Sequence, residues 1–143
     1  RYLDDWSAAR RENASRYQEL FHQRHLGSRF TLPAEYPDRH HVYNQYVIRI
    51  EGGKRDAVMA GLKRHGIGCA IYYPRPLHLQ ECFSSLQYRP GQLPEAERAA
   101  SETLALPIFA ELGVERQQRV VETLARVLAE LDAQSSVTLR RAA

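Results

Sequence analysis

Apolar positions recur along this chain with two different periods, and the switches between them divide it into elements. Leu3, Trp6, Arg10, Asn13 or Ala14, Tyr17, and Leu20 or Phe21 fall on one helical face, which predicts an amphipathic helix. His22, Arg24 and His25 crowd its last turn and Gly27 is suited to a left-handed cap, so the helix is expected to stop near Leu26. Leu32 to Arg39 carries Pro33 and Pro37 and reads as a loop. From Val42 to Ile50 the period shortens to two, predicting a strand with Val42, Tyr46, Ile48 and Ile50 on one face and Tyr43, Asn44, Gln45 and Arg49 left for the other side or the edge. Gly52 and Gly53 make a turn into a helix with Ala57, Val58, Gly61 and Leu62 inside and Arg55, Lys63 and Arg64 on its polar side, ended by Gly66. Gly68 to Tyr73 is the next expected strand, and strand, helix and strand within roughly thirty residues is the size of a split crossover unit. Pro94 suits the first position of another helix running towards Leu104, with Glu95 and Glu97 near its positive end. Leu106 to Phe109 reads as a short extended or turn segment. Val114, Val120 or Val121, Leu124, Val127 or Leu128, and Leu131 form the stripe of a final helix. The pattern therefore predicts an α+β fold, a small antiparallel or mixed sheet backed by helices. Residues 1–131 form one domain, and the small, polar stretch 132–143 reads as a disordered tail.

A chain of 143 residues suits a single core and buries roughly two-thirds of its unfolded surface. Net charge is only +3, from 20 basic and 17 acidic residues, and the arginines are scattered among the acids. Without a basic stripe, no nucleic-acid partner is expected. No run approaches the roughly 18 apolar residues of a membrane span and no leader-like segment opens the chain, so a soluble, cytoplasmic protein without a membrane partner is expected. The start at Arg1 rather than methionine reads as a piece of a longer or processed protein. Cys69 and Cys82 are too few for a disulfide framework and read as reduced thiols, the first buried and the second partly exposed.

Candidate chemistry concentrates in the stretch Ile71 to Gln80, where an apolar edge runs into a turn holding Pro74 and Pro76. Two prolines one residue apart fix φ and push Tyr73 and Arg75 into extended geometry, so Tyr73, Arg75 and His78 are projected at little entropic cost. An ordinary core-closing turn is the other reading of the same residues. Asn44 and Gln45, amides in an otherwise apolar strand, need partners that a ligand, another subunit or an edge position would supply. The neighbours His40 and His41 point apart on a strand and form no convergent set with His78 and Cys82, so no metal site is expected. Tyr43, Tyr46 and Tyr88 read as packing residues. The only lysines, Lys54 and Lys63, flank a helix and read as surface charges.

His41-Val42-Tyr43-Asn44-Gln45-Tyr46-Val47-Ile48-Arg49, Gly66-Ile67-Gly68, Tyr72-Tyr73-Pro74-Arg75-Pro76-Leu77-His78-Leu79-Gln80, Leu93-Pro94-Glu95-Ala96-Glu97 and Leu104-Ala105-Leu106-Pro107-Ile108-Phe109 follow one another in an order and spacing that resemble the DegT/DnrJ/StrS family of pyridoxal-phosphate sugar aminotransferases. The resemblance runs from Tyr2 to about Leu131 and covers the family's C-terminal part. It implies the small domain of a fold-type I enzyme whose large domain, with the pyridoxal phosphate and its Schiff-base lysine, is absent from these residues. A complete protein of this kind would be a homodimer that moves an amino group from glutamate to a keto group on a nucleotide-linked sugar. The turn matching Tyr73 to Leu79 would lie near the active site, with His78 approaching the sugar nucleotide, Tyr73 offering a hydroxyl and a ring face, and Arg75 a fork for phosphate. Substrate-facing residues are therefore expected at Tyr73, Arg75, His78 and Asn44. No catalytic, cofactor-binding or metal-binding residue is expected in this chain, which alone should be inactive. The rival reading is a free-standing ligand-binding or regulatory module without catalysis; a third is a dimerisation piece using Trp6, Tyr17 and Phe21.

Overall fold

The structure, a computed structural model, describes residues 1–142, with all of their side chains except those of 135 and 137–142. Helix α1 spans Leu3–Gln23, with Asp4 and Asp5 in its first turn, where their negative charge suits the helix dipole, and His22 in its last. Asn13, Ala14, Tyr17 and Phe21 are buried as the stripe predicts, but the same face begins with Leu3 and Trp6 exposed. The left-handed cap differs from expectation. His25, not Gly27, takes positive φ at 54°, and Leu26 N–H reaches back to Phe21 O at 2.9 Å while His25 N–H reaches His22 O at 3.0 Å. That six-to-one and five-to-two pair closes the helix and turns Leu26 down beside Phe21. Tyr17 and Phe21, candidates for packing on another chain, are fully enclosed in this chain's own core.

Strand β1 is Tyr46–Arg49, shorter than the expected Val42 to Ile50. Tyr43 is the reason: its φ of 47° breaks the extended backbone and turns the ring inward, where it is fully buried and stacks with Tyr46 at 6.1 Å. Its hydroxyl donates to Glu35 Oε1 at 2.8 Å; burial first, and then the Glu35 contact, push its pKa up to about 12. Helix α2, Arg55–Arg64, buries Val58, Gly61 and Leu62, and Gly66 at φ 72° ends it as predicted. Two of its residues sit otherwise than expected. Ala57 is exposed, and Arg55 is buried, with Nη1 donating to Ala100 O at 3.0 Å and Thr103 O at 3.1 Å. A guanidinium there satisfies carbonyls at the end of the next helix.

That helix, α3, is Pro94–Glu102 with proline at its first position, and it passes directly into strand β2, Thr103–Leu106. β2 pairs antiparallel with β1 in the register Tyr46 with Leu106 through Arg49 with Thr103. The expected strand from Gly68 to Tyr73 contributes a single bridge, Ala70 to Ala105, and Thr31 adds another to Arg49 on the opposite edge. β2 thus lies between β1 and the Ala70 segment, the arrangement of a split crossover. The last helix, α4, is Val114–Ala142 and packs against α1 and α2. Its backbone is helical through 132–142, where the sequence predicted a tail; Ala143 lies outside the described residues.

These contacts make a helical layer of α1, α2 and α4 on one face of the sheet, the α+β arrangement expected. Tyr46, Ile48, Leu104 and Leu106 point into it, and the Tyr17 ring packs on Tyr46 with centroids 4.8 Å apart and planes tilted by 35°. One polar cluster is built into the layer. Asn13 Nδ2 donates to Phe109 O at 2.9 Å, Gln117 Nε2 donates to Asn13 O at 2.7 Å, and Arg16 Nη1 donates to both Asn13 Oδ1 and Gln117 Oε1 at 2.9 Å. The opposite face of the sheet carries Val47, Arg49, Thr103 and Ala105, and it is that face which the candidate site uses.

Candidate functional site

Strand alternation leaves Val47 and Ala105 facing away from the helical core, with Ala70 alongside. α3 rises on one side of this small apolar floor and the segment 72–77 on the other, because Pro74 and Pro76 keep that segment from continuing as a strand. Between them lies an open cavity of about 390 Å³, with Tyr72, Tyr73 and Arg75 at its rim, Leu77 at its mouth and Ala96, Ala99 and Ala100 as the α3 wall. A cavity of that size with an apolar floor and a few polar groups at its edge has the form of a small-molecule site. Gln45 and Thr103 are the other polar side chains of the lining, so any sugar or phosphate held here is held by these two and the rim.

The four candidate residues are not all in one place. Tyr73 is 65% exposed and shares the cavity with the exposed Arg75. Asn44 is exposed and precedes β1, so the premise of a buried amide needing a partner does not hold for it; it lines two shallower depressions on either side of Gln45. Gln45, half-buried, borders all three hollows, and Tyr72 borders two. Gln45 is the second of the two amides marked by the sequence, whereas Tyr72 is not among its candidates, although it sits in the same proline-stiffened stretch.

His78 stands apart from the projecting pair. It lies in a short 3₁₀ turn, Leu77–Leu79, that follows Pro76, and it is only 8% exposed. Its Nε2 is 3.2 Å from Glu97 Oε1, and the edge of the ring meets Tyr88 at 5.8 Å and 81°. Glu97 also accepts Gly91 N–H at 2.8 Å and 3.0 Å and Leu93 N–H at 3.4 Å. The Gly91 hydrogen bond, with His78 and Leu93 adding to it, holds the Glu97 carboxyl below the ordinary glutamate range. One carboxylate thus ties the loop after Tyr88, the start of α3 and the candidate histidine into a unit. Glu97 was read only as a dipole partner. A glutamate shortly after a glycine turn and a helix-opening proline is the signal for its second task.

Other residues with candidate chemistry are engaged elsewhere. His41 Nδ1 accepts Tyr43 N–H at 3.0 Å, and His40 contacts Arg11. Among the described residues no group of three histidine, cysteine or acidic side chains converges as a metal site would require. Lys54 Nζ is bonded to Asp132 at 3.1 Å and Lys63 is exposed on α2. No helix among the described residues is long and apolar enough to cross a membrane.

Known proteins resemble the chain over most of its length. The profile of the DegT/DnrJ/EryC1/StrS aminotransferase family matches residues 1–125. The chain is 49% identical over 124 residues to a pleiotropic regulatory protein of Geobacillus stearothermophilus, covering 87% of this chain and 32% of that protein. Over 127 residues it is 36% identical to a UDP-N-acetyl-3-dehydro-alpha-D-glucosamine 3-aminotransferase of Acidithiobacillus ferrooxidans, covering 89% of this chain and 32% of that one. The crystal structure of the aminotransferase TlmJ from Streptoalloteichus hindustanus superposes with a TM-score of 0.78 at 32% identity, over 92% of this chain and 34% of that chain. The chain spans about a third of the length of the curated relatives it matches.

Proposed function

This chain belongs to the DegT/DnrJ/EryC1/StrS aminotransferase family, and we propose that it is the C-terminal small domain, residues 1–131, of a cytoplasmic, homodimeric enzyme that transfers an amino group from glutamate to a keto group on a nucleotide-linked sugar. The single observation that carries this reading is the rim of Tyr72, Tyr73 and Arg75 over an apolar cavity, in a chain matched along 92% of its length by a solved aminotransferase. The chemistry of the rim suits such a substrate. A tyrosine ring packs against the apolar face of a sugar or base, its hydroxyl bonds a ring substituent, and a guanidinium binds phosphate oxygens two at a time. His78 and Asn44 complete the proposed substrate-facing set.

Pyridoxal phosphate supplies the electron sink for amino-group transfer when it is bound in such enzymes, but the residues of this chain do not fit it. A Schiff-base lysine must be desolvated or otherwise tuned. Lys54 instead shares Asp132 with Arg29, and Lys63 lies in solvent. The cofactor and its lysine therefore belong, in this reading, to the part of the enzyme outside this chain, and the chain alone is inactive. Its own contribution is to bind and orient the sugar nucleotide and to keep water from one side of it.

One observation favours a second reading, a regulatory module without catalysis: the 49% identical relative is described as a pleiotropic regulatory protein. A single assay separates them. Protein from the complete gene, given glutamate and nucleotide-linked keto sugars, is expected to form amino sugars and 2-oxoglutarate, and this chain alone none. A complete protein that binds sugar nucleotides but aminates none of them would favour the module.

A further inference from the structure

The floor of the cavity is one row of small side chains laid across β1, β2 and the Ala70 segment. Val47 and Ala105 are partners in the register of β1 and β2. Ala70 faces Ala105 through a pair of hydrogen bonds, Ala70 N–H to Ala105 O at 3.1 Å and Ala105 N–H to Ala70 O at 2.8 Å. Residues directly opposite one another on antiparallel strands project to the same face, and all three line the cavity. With neighbouring strands about 4.8 Å apart, the row is roughly 10 Å long, enough to underlie a flat ring. Ala96, Ala99 and Ala100 keep the α3 side equally small. Groups able to bond a ligand stand only around this platform. Thr103 Oγ1 already donates to Ala99 O at 2.7 Å. The half-buried carboxamide of Gln45, two residues before Val47 along the same face, has no hydrogen-bond partner among the described residues, and neither have the hydroxyls of Tyr72 and Tyr73 or the guanidinium of Arg75.

A pyranose seated on this platform would bury hydroxyls that the side chains of Val47, Ala70 and Ala105 have nothing to bond. A nucleobase differs, because its polar atoms lie on its edge and its faces pack on apolar surface. We propose that the row of Val47, Ala105 and Ala70 seats the base of a nucleoside diphosphate face down, and that Gln45 binds the edge of that base. This rests on the functional reading above and deepens it, by assigning the parts of a nucleotide-linked sugar to the parts of the cavity. A carboxamide offers a donor and an acceptor side by side, the complement of the donor and acceptor pairs that base edges carry. The sugar and the phosphates then fall to the rim, where Tyr72 and Tyr73 supply hydroxyls and Arg75 a charged fork.

Calorimetric titration of the complete protein with uridine 5′-diphosphate and, separately, with inorganic pyrophosphate tests this. The nucleotide is expected to bind more tightly than pyrophosphate, because only it has a base to place on the floor. Q45A should weaken uridine diphosphate about tenfold, the scale of one paired base edge, and leave pyrophosphate unchanged. Ala96→Leu puts a larger side chain on an exposed position of the α3 wall, where leucine is a good helix former and the fold is kept. It narrows the space over the floor, so uridine diphosphate should again weaken about tenfold and pyrophosphate should not. Equal affinity for the two probes, no binding of uridine diphosphate, a Q45A protein that binds it as tightly as before, or a variant that loses both probes alike overturns the proposal; A96L decides the matter if Q45A fails to fold. Because binding is measured without turnover, its failure is distinct from failure of the aminotransferase reading, which the amination assay decides.

Discussion

Gly61→Ala tests whether the contact between α2 and α4 has been understood. A Cβ at Gly61 would overlap Val127 Cγ1 and lie 2.8 Å from Cγ2, against about 3.5–4.0 Å for comfortable carbon contact. Val127 is fully buried, and a β-branched residue inside a helix keeps essentially one rotamer, so the side chain cannot swing away. The two helices must part, and overpacking of this kind costs about 1–3 kcal/mol. Opposing it is helix propensity: alanine in a helix interior is favoured over glycine by about 1 kcal/mol. The clash is the larger effect, and the expected net loss is up to about 2 kcal/mol, or a fall in Tm of up to roughly 8 °C for a chain of this size. Urea unfolding of this chain followed by circular dichroism measures it. The double variant G61A/V127A supplies the control, because removing the valine methyls relieves the overlap. Its loss should be smaller than the sum of the two single losses by about 1 kcal/mol. A stabilised G61A, or strict additivity in the cycle, would refute the reasoning.

Gln117→Ala removes both the acceptor for Arg16 and the donor to Asn13 O from a fully buried position; a loss of about 1–3 kcal/mol in the same unfolding assay is expected. Acid should loosen the molecule at two identifiable places. Glu97 and Asp132 both have depressed pKa values, the first chiefly through the Gly91 N–H and the second through Arg29 and then Lys54. Their stabilising contributions are therefore present above the ordinary carboxyl range and are lost as pH falls through the lower folded values. Hydrogen exchange should accordingly speed up at Gly91 and Leu93 below about pH 4 while the Tyr17 to Tyr46 core stays protected. Arg75→Ala and Tyr73→Ala alter exposed rim residues; each should leave the Tm of this chain within about 1 °C, while R75A in the complete protein raises KM for the nucleotide sugar by about tenfold.

Elements with local signals could be read from the chain itself. Pro94 opens α3, Gly66 closes α2, Gly52 and Gly53 turn between β1 and α2, and the stripe from Val114 to Leu131 lies in α4. Each depends on the residue's own backbone preference or on a period that one helix displays. Features set by distant contacts could not be read in this way. Tyr43 adopts a left-handed backbone because its ring is worth more in the core, beside Tyr46, than the strand it interrupts. Arg55 looked polar and outward, yet it is drawn inside by carbonyls 45 and 48 residues away. The strand expected from Gly68 to Tyr73 keeps only the Ala70 bridge, since Pro74 and Pro76 lead the chain off the sheet. For the site, the proline-stiffened loop was legible and its cavity was not. Tyr73 and Arg75 project as their neighbours dictate, whereas His78 faces inward because Glu97, 19 positions on, receives it.

The central claim is that this chain contributes the substrate-facing side of an aminotransferase whose cofactor is held elsewhere in the same protein. Protein produced from the complete gene tests it most directly, by intact mass and by its absorbance between the near-ultraviolet and the violet. The account predicts a polypeptide about three times the length of this chain, as the relatives are, with the absorbance band of bound pyridoxal phosphate, and no such band when the cofactor is added to this chain alone. A complete product of this chain's own size, or a longer one that takes up no pyridoxal phosphate, would contradict it.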